Sequence, residues 1–317
     1  MILKEQAAEK ALAEFITGIT ELPEWVKLYK INHHSPSQAN TSDDMWGYKY
    51  LYLTQEERRD LPINSKMFSG VCIGDMGQLE FGNFIWEYEK GKGLTKKPIP
   101  PTRKVFEKII EKFNQYGPAN EDDKIQHDVN RKGLALLFDQ FKKGFREVGL
   151  KGEIECERSV ELMLPDCVLP MIGRVDFEDA DQFIELKTKW RKKNRPRKDG
   201  TSSYSLPKID EGYLGWNEHL LQVAFYFLAT GKKPNLLVVH EEGYNLFNED
   251  NCDDLKPENL KLLLNKMKIV CSNREKIMEK HAGKNTWVED IFPDFGHYFW
   301  RGMGDHLDKA KELWGQS

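Results

Sequence analysis

Apolar positions along the chain follow a helical period, then an alternating one, then a helical one again. In residues 133–148, Leu134, Leu136, Leu137, Phe138, Phe141 and Phe145 recur at short helical spacings, which predicts an amphipathic helix lying on a core. From 158 to 164 the period shortens to two, through Val160, Leu162 and Leu164, and strands are predicted there, over 169–177 and over 183–188. Asn217 suits an N-cap, the run behind it is unbroken and Gly231 stops it, so 217–231 reads as a helix. An apolar strand follows at 235–240, and helices are expected over 260–281 and 310–314. Residues 4–130 read mainly as helices and loops, with an amphipathic start at 5–16 and a proline-rich break at 97–101. Strands, a helix and a further strand predict a mixed α/β core. The expected organisation is a mainly helical region over 1–149, the core over 150–245 and a helical region over 246–317, as separate units or one compact domain.

Composition narrows the function classes. The 317 residues carry 47 basic and 51 acidic side chains, a net charge of −4, so the body as a whole is not a basic nucleic-acid binder. Hydrophobic content of 39% and charged content of 31% describe a soluble globular protein. Five cysteines, an odd number without framework spacing, point to reduced thiols and a cytoplasmic setting. The first residues soon turn acidic and amphipathic, unlike a signal peptide, and no apolar run approaches the roughly 20 residues of a membrane span. No G-x-x-x-x-G-K-[ST], H-E-x-x-H or G-x-S-x-G occurs, which argues against an ATP-driven motor, a zincin and an ordinary serine hydrolase.

Charge patterning then singles out one region. Asp176 closes one predicted strand, and Glu185 and Lys187 lie two apart on the next, so that pair shares a face while Leu186 points to the core. If Asp179, Ala180 and Asp181 make the turn, Asp176 comes alongside Glu185. Two carboxylates and the Leu186 carbonyl are hard ligands suited to Mg²⁺ or Mn²⁺, and Lys187 would hold an attacking water or stabilise charge on a phosphate. An E-x-K strand also occurs on ordinary exposed sheet faces, so the following helix matters. There Gln222 and Tyr226 are four apart and share one face, and a glutamine among so many apolar residues needs a buried polar partner. From Lys187 to Lys198 the chain reads KTKWRKKNRPRK, with no acid. Lys189, Arg191, Lys192, Lys193, Arg195 and Arg197 would offset repulsion between DNA and the acidic body, with strong salt dependence. Trp190, Tyr204, Tyr213 and Trp216 would stack on unpaired bases, or simply pack.

Glycine-x-x-Asp at 173–176, Glu-x-Lys at 185–187 and Gln-x-x-x-Tyr at 222–226, in that order, resemble the RecB-like branch of the PD-(D/E)xK nucleases. The segment around Ser35, Ser37, Tyr48 and Lys49 is similar to that family's opening helix. The arrangement also resembles phage-type and mitochondrial genome-maintenance-like exonucleases. The resemblance implies a restriction-endonuclease-like mixed sheet core flanked by helices, with a helical N-terminal region. It also implies a DNA exonuclease dependent on Mg²⁺ or Mn²⁺. Asp176, Glu185 and the Leu186 carbonyl would bind metal, Lys187 would position the nucleophile, and Gln222 and Tyr226 would brace the site and contact the strand. Ser35, Ser37, Tyr48 and Lys49 would contact DNA.

Two departures from the family pattern stand out. Gln78 occupies the place of a metal-binding histidine, with Asp75 and Glu80 as alternatives and a glycine-rich turn entering a helix as the plain structural reading. Several relatives carry an iron–sulfur cluster, but Cys72, Cys156, Cys167, Cys252 and Cys271 form no C-x-x-C pair, and no iron–sulfur cluster is expected. The activity implied is phosphodiester hydrolysis in replication, recombination or repair, with recombination or replication proteins as companions and the host cytoplasm as setting if phage-encoded. A flap or branch endonuclease and a catalytically silent DNA-binding scaffold are the alternatives.

Overall fold

A computed structural model of the protein describes residues 23–82, 84–89, 93–98, 102–195, 202–208, 216–300 and 302–316. The predicted start at 5–16, and Arg197 and Tyr213, lie outside them. The first helices are short: α1 (Glu24–Tyr29), α2 (Asp43–Gly47), which runs into a π-type turn over Tyr48–Tyr52, and α3 (Gln55–Arg59). Thr54 caps α3 in a capping box, accepting from the Glu57 amide while the Glu57 carboxylate accepts from the Thr54 amide. Helix α4 (Ser65–Gly82) is followed by a hairpin of β1 (Phe84–Glu89) and β2 (Gly93–Pro98). That hairpin corrects the reading of 4–130 as helices and loops: Phe84, Ile85, Trp86 and Tyr88 are strong strand formers. Two helices complete this half, α5 (Arg103–Asn114) and α6 (Glu121–Val148).

The strands that follow are β3 (Glu155–Leu162), β4 (Met171–Glu178), β5 (Gln182–Thr188), and the two-residue β6 (Lys192–Lys193) and β7 (Tyr204–Ser205). After helix α7 (Trp216–Thr230) come β8 (Lys233–His240) and β9 (Gly243–Phe247), then α8 (Pro257–His281) and α9 (Asp305–Leu313). Five strands form one mixed sheet in the order β3-β4-β5-β8-β9. Its pairs are antiparallel except β5 with β8, which run parallel in a register that opposes Glu185 to Leu236, joined by the α7 crossover. The expected mixed α/β core flanked by helices is therefore present, with β9 as a strand the sequence reading did not contain. Among the described residues no helix is long and apolar enough to cross a membrane.

Each face of the sheet carries its own core. Phe183, Leu236 and Val238 pack with Leu221, Phe225 and Tyr226 of α7 and with Leu260 and Met267 of α8. Ile184, Leu237 and Val239 pack on the other side with Phe138, Phe141 and Phe145 of α6 and with Ile73 and Met76 of α4. Burial on both faces explains the unbroken apolar run of β8. Helix α4 is continuous through its glycines rather than a turn. A Cβ on Gly77 would stand 2.6 Å from the Phe141 ring, so glycine lets α4 close onto α6.

The alternation slips at one place in β3 and β4. Val160 belongs to the α7 side of the sheet and Cys156 to the other; Val175 belongs to the α7 side and Phe177 to the other. Strict alternation would put each of these pairs on a single face. The slip falls at Glu157 and Asp176, which face each other between the paired positions Cys156↔Phe177 and Arg158↔Val175. Glu157 takes up the change in a left-handed conformation, at φ 54°.

Candidate active site

Asp176 reaches sideways instead of standing off the sheet. Strands β4 and β5 pair only at Phe177↔Ile184 and Glu178↔Phe183, and the turn between them is fixed by Asp179, whose Oδ1 accepts from the amides of Asp181 and Gln182. Past Phe177 the strands part, and Asp176 Oδ2 accepts a 2.7 Å bond from the Leu186 amide. The predicted turn at 179–181 thus brings Asp176 alongside the segment holding Glu185 and Lys187. Glycine at 173 contributes from the other side: a Cβ there would lie 2.8 Å from both Phe225 and Pro36 and 3.0 Å from Tyr226. Only glycine lets α7 approach β4 this closely.

From α7 a polar chain enters an otherwise apolar contact. Tyr226 is 2% exposed, and its hydroxyl donates to the Arg174 carbonyl (2.5 Å) while accepting from Gln222 Nε2 (3.1 Å). The amide is thereby oriented so that Gln222 Oε1 accepts from Lys187 Nζ at 2.9 Å. Lys187 also donates to Glu185 Oε1. Glu185 is 1% exposed, and its second oxygen, Oε2, has no hydrogen-bond partner. The five residues expected at the site converge, and Gln222 has the polar partners that its burial required.

Electrostatically the site is short of positive charge. Burial, then Glu185 and Glu157, hold the Asp176 carboxyl well above the ordinary range. Burial also raises Glu185, against the pull of Lys187. Burial by itself would lower Lys187, but Glu185 and Asp176 outweigh it and keep the ammonium charged. Among the described residues three carboxylates act on this space, Lys187 is the cation bonded within it, and one buried carboxylate oxygen is left unbonded. A hard divalent cation fits that donor set. Among the described residues no three His, Cys, Asp or Glu side chains converge at metal-holding distance. The side-chain donors open to such an ion would be the Asp176–Glu185 pair, with the Leu186 carbonyl next to Glu185 on β5.

Glu157 and His219 are site neighbours that the sequence reading did not contain. Nothing in the local pattern marks Glu157; its position follows from the β3–β4 register. Gln78 Nε2 donates to Glu157 Oε1 at 2.9 Å, so the residue in the histidine's expected place is tied to the carboxylate opposite Asp176. Of the alternatives, Asp75 turns to Lys112 at 3.0 Å. His219 lies one turn before Gln222, with Nε2 buried and unbonded; burial, then Lys187 and Lys189, pull its pKa down to about 3. Its three-residue spacing from Gln222 was the available signal.

The expected DNA-contacting residues divide. Arg191 pairs with Glu241 and Glu242, and Lys193 with Asp122 at 2.8 Å, so part of the basic run is neutralised internally. Lys192 and Arg195 are exposed, whereas Trp190 is 5% exposed and packs in the core with its Nε1 on Thr188. Lys189 is held by its amide on the Val239 carbonyl. The Ser35 and Ser37 hydroxyls bond each other at 2.9 Å. Tyr48 is wholly buried against Trp300, its hydroxyl 2.9 Å from His306 Nδ1, which corrects its reading as a strand contact: the ring is needed to anchor the C-terminal segment. Lys49 is half-buried. Searches of family models, of curated proteins and of solved structures each return no match.

Proposed function

We propose that this chain is a Mg²⁺- or Mn²⁺-dependent deoxyribonuclease of the RecB-like PD-(D/E)xK type, acting as an exonuclease on a restriction-endonuclease-like core. The observation that carries the reading is the unbonded Oε2 of Glu185, buried beside Asp176 and beneath Lys187. A buried carboxylate oxygen without a partner is costly, and a cation at this place would offset that cost. Bound between Asp176 and Glu185, a divalent ion would supply charge neutralisation at the scissile phosphate.

The chain's own groups have definite parts in this reading. Lys187 stays protonated, so it donates a hydrogen bond to water or to a phosphate oxygen and does not act as the base. Gln222 fixes the Lys187 ammonium from behind, and Tyr226 fixes Gln222 against the β4 backbone. His219, kept neutral, is able to accept or donate one hydrogen bond without adding charge. Lys192 and Arg195 are the cations best exposed to a nucleic-acid backbone. DNA as partner, replication or recombination proteins as companions and a cytoplasmic setting belong to the same reading.

End-labelled single- and double-stranded DNA, incubated with Mg²⁺ or Mn²⁺ and in parallel with EDTA, tests it. Expected are cleavage that EDTA stops, its loss in Asp176→Asn, and a drop on the order of a hundredfold or more in Lys187→Ala. DNA binding without cleavage under any ion would identify the silent scaffold instead. Products cut internally at branched DNA would identify the endonuclease.

A further inference from the structure

A cleft of about 410 Å³ opens on the N-terminal side of the molecule, between α2, α3 and α8, and the segment 30–39. That volume suits a small organic ligand rather than a simple inorganic ion. Among the described residues lining it there is no Asp or Glu, although the chain carries an excess of acid, while Lys30, Lys49, Arg58 and Arg274 all contribute.

The pairing of these cations distinguishes structural from available charge. Arg274 is 2% exposed and consumed by the fold: it donates to Asp43, to the Gln38 carbonyl (3.0 Å) and to the Thr41 carbonyl (2.7 Å). Arg58 lies over the Tyr50 ring at 5.1 Å and forms no ion pair with any described carboxylate. Lys49 is half-buried and likewise has no carboxylate among the described residues, and burial lowers its pKa. At the inner end His33 is pulled down to about 4 by burial, then by His34 and Arg174. A neutral imidazole there adds a hydrogen-bonding group without repelling the lysines. Cations held partly out of water with no counter-ion are costly to the fold alone, and an incoming anion offsets that cost.

We propose that this cleft binds a phosphate ester, with Lys49 and Arg58 as the phosphate-binding cations. Lysine serves such groups as a point charge and arginine as a planar fork of donors. The phosphate belongs either to a bound nucleic-acid strand or to a free nucleotide-sized molecule. The position admits a strand, because His34 bridges to Met171 at the start of β4, the strand that carries Asp176. Five residues of extended strand span about 16 Å. Assignment to a bound strand rests on the nuclease reading, whereas the phosphate site itself is tested independently of it, since its occupancy is read without cleavage.

Calorimetric titration of the full chain carrying Glu185→Gln, in EDTA, with thymidine 5′-monophosphate, thymidine and inorganic phosphate tests the proposal. The expected result is that the monophosphate binds at least about tenfold more tightly than thymidine. Lys49→Gln should weaken the monophosphate by about tenfold and Lys49→Gln with Arg58→Gln abolish it, while Lys49→Arg retains it. Melting temperature should stay level or rise in Lys49→Gln, because a half-buried cation with no counter-ion among the described residues is removed; a purely structural lysine would lower it and leave binding alone. Displacement of the monophosphate by a short single strand assigns the phosphate to a bound strand, and simultaneous binding assigns it to a free ligand. Equal affinity for monophosphate and thymidine, or an affinity indifferent to both substitutions, overturns the proposal.

Discussion

Replacing Glu185 by glutamine should stabilise the metal-free protein while abolishing its response to divalent ions. Glu185 is 1% exposed, one of its oxygens is unbonded, and two further carboxylates act on the same space. A buried polar group left without a partner costs about 1–3 kcal/mol, and more when charged. The substitution keeps Oε1 as acceptor for Lys187, replaces Oε2 by an amide able to donate to the Asp176 carboxylate, and removes one negative charge from the cluster. Asp176, relieved of its second-largest perturbation, then ionises more readily and takes over as the counter-ion of Lys187. The expected gain is about 1–3 kcal/mol, or roughly 1.5–4.5 °C in Tm for a chain of 317 residues. Wild-type protein should in turn gain about 2.7 kcal/mol from Mn²⁺ at a hundredfold excess over Kd, and Glu185→Gln nothing. Thermal melts of both proteins, in EDTA and across a Mn²⁺ series, read all four quantities. A variant that melts lower than wild type in EDTA and still climbs with Mn²⁺ would refute the reasoning: Glu185 would then be an ordinary partner of Lys187.

Three further outcomes follow from the same geometry. Burial raises the folded-state pKa of Asp176 and Glu185, so each contributes stability that is present below about pH 4 and lost as pH rises through the raised value. Urea midpoints of wild type in EDTA should therefore decline from acid to neutral pH relative to those of Asp176→Asn with Glu185→Gln; parallel curves would contradict it. In the basic run, Lys192→Ala with Arg195→Ala should lower the salt slope of DNA binding by roughly 0.7–0.9 for each phosphate no longer neutralised. Arg191→Ala with Lys193→Ala should change the slope less, because those cations already face Glu241, Glu242 and Asp122, and the reverse ranking would put the DNA path elsewhere. Gln78→Ala should cost about 1.5–3 kcal/mol by removing a hydrogen bond to the Glu157 carboxylate, and little in a Glu157→Gly background; equal costs in both would detach Gln78 from Glu157.

The readable parts of the fold were those governed by period alone. Helix α7 declared itself through an unbroken run and Gly231, although Asn217 lies inside it, behind Trp216, and is not its cap; β8 did so through an apolar stretch that suits a strand buried on both faces. Asp176, Glu185, Lys187, Gln222 and Tyr226 were legible because their spacing encodes shared faces: two along β5, four along α7. Other parts depend on partners distant in sequence. Tyr48 reads as an exposed aromatic next to Lys49, yet it is buried by Trp300 and His306, more than 250 positions away. Trp190 looked like a stacking platform within a basic loop and instead completes the core behind Thr188. The cations of that loop read as a free patch because Asp122, Glu241 and Glu242 come from elements on either side of it.

Glu157 was hidden for a different reason, and it bears on how the site is built. An aspartate on a regular strand points above or below the sheet and cannot reach the neighbouring strand's amide. For Asp176 to accept from Leu186, β4 must leave its ladder with β5 after Phe177 and shift its alternation by one position. Strand β3, paired to β4 on both sides of that point, has to shift with it, and the shift is borne by Glu157 at φ 54°. A left-handed residue other than glycine costs roughly 1–2 kcal/mol, so glycine would be the choice on conformation alone. The chain has glutamate there, held by Gln78 and adding a third negative charge beside Asp176 and Glu185. Backbone strain and electrostatic repulsion thus coincide at one point of the sheet, each offset by packing on both faces. Sites that break local rules in this way are where function is sought first. A divalent cation bound between the carboxylates, as proposed, would diminish the electrostatic cost and leave the strain at Glu157, because the charge that opposes folding would then be the charge that holds the ion.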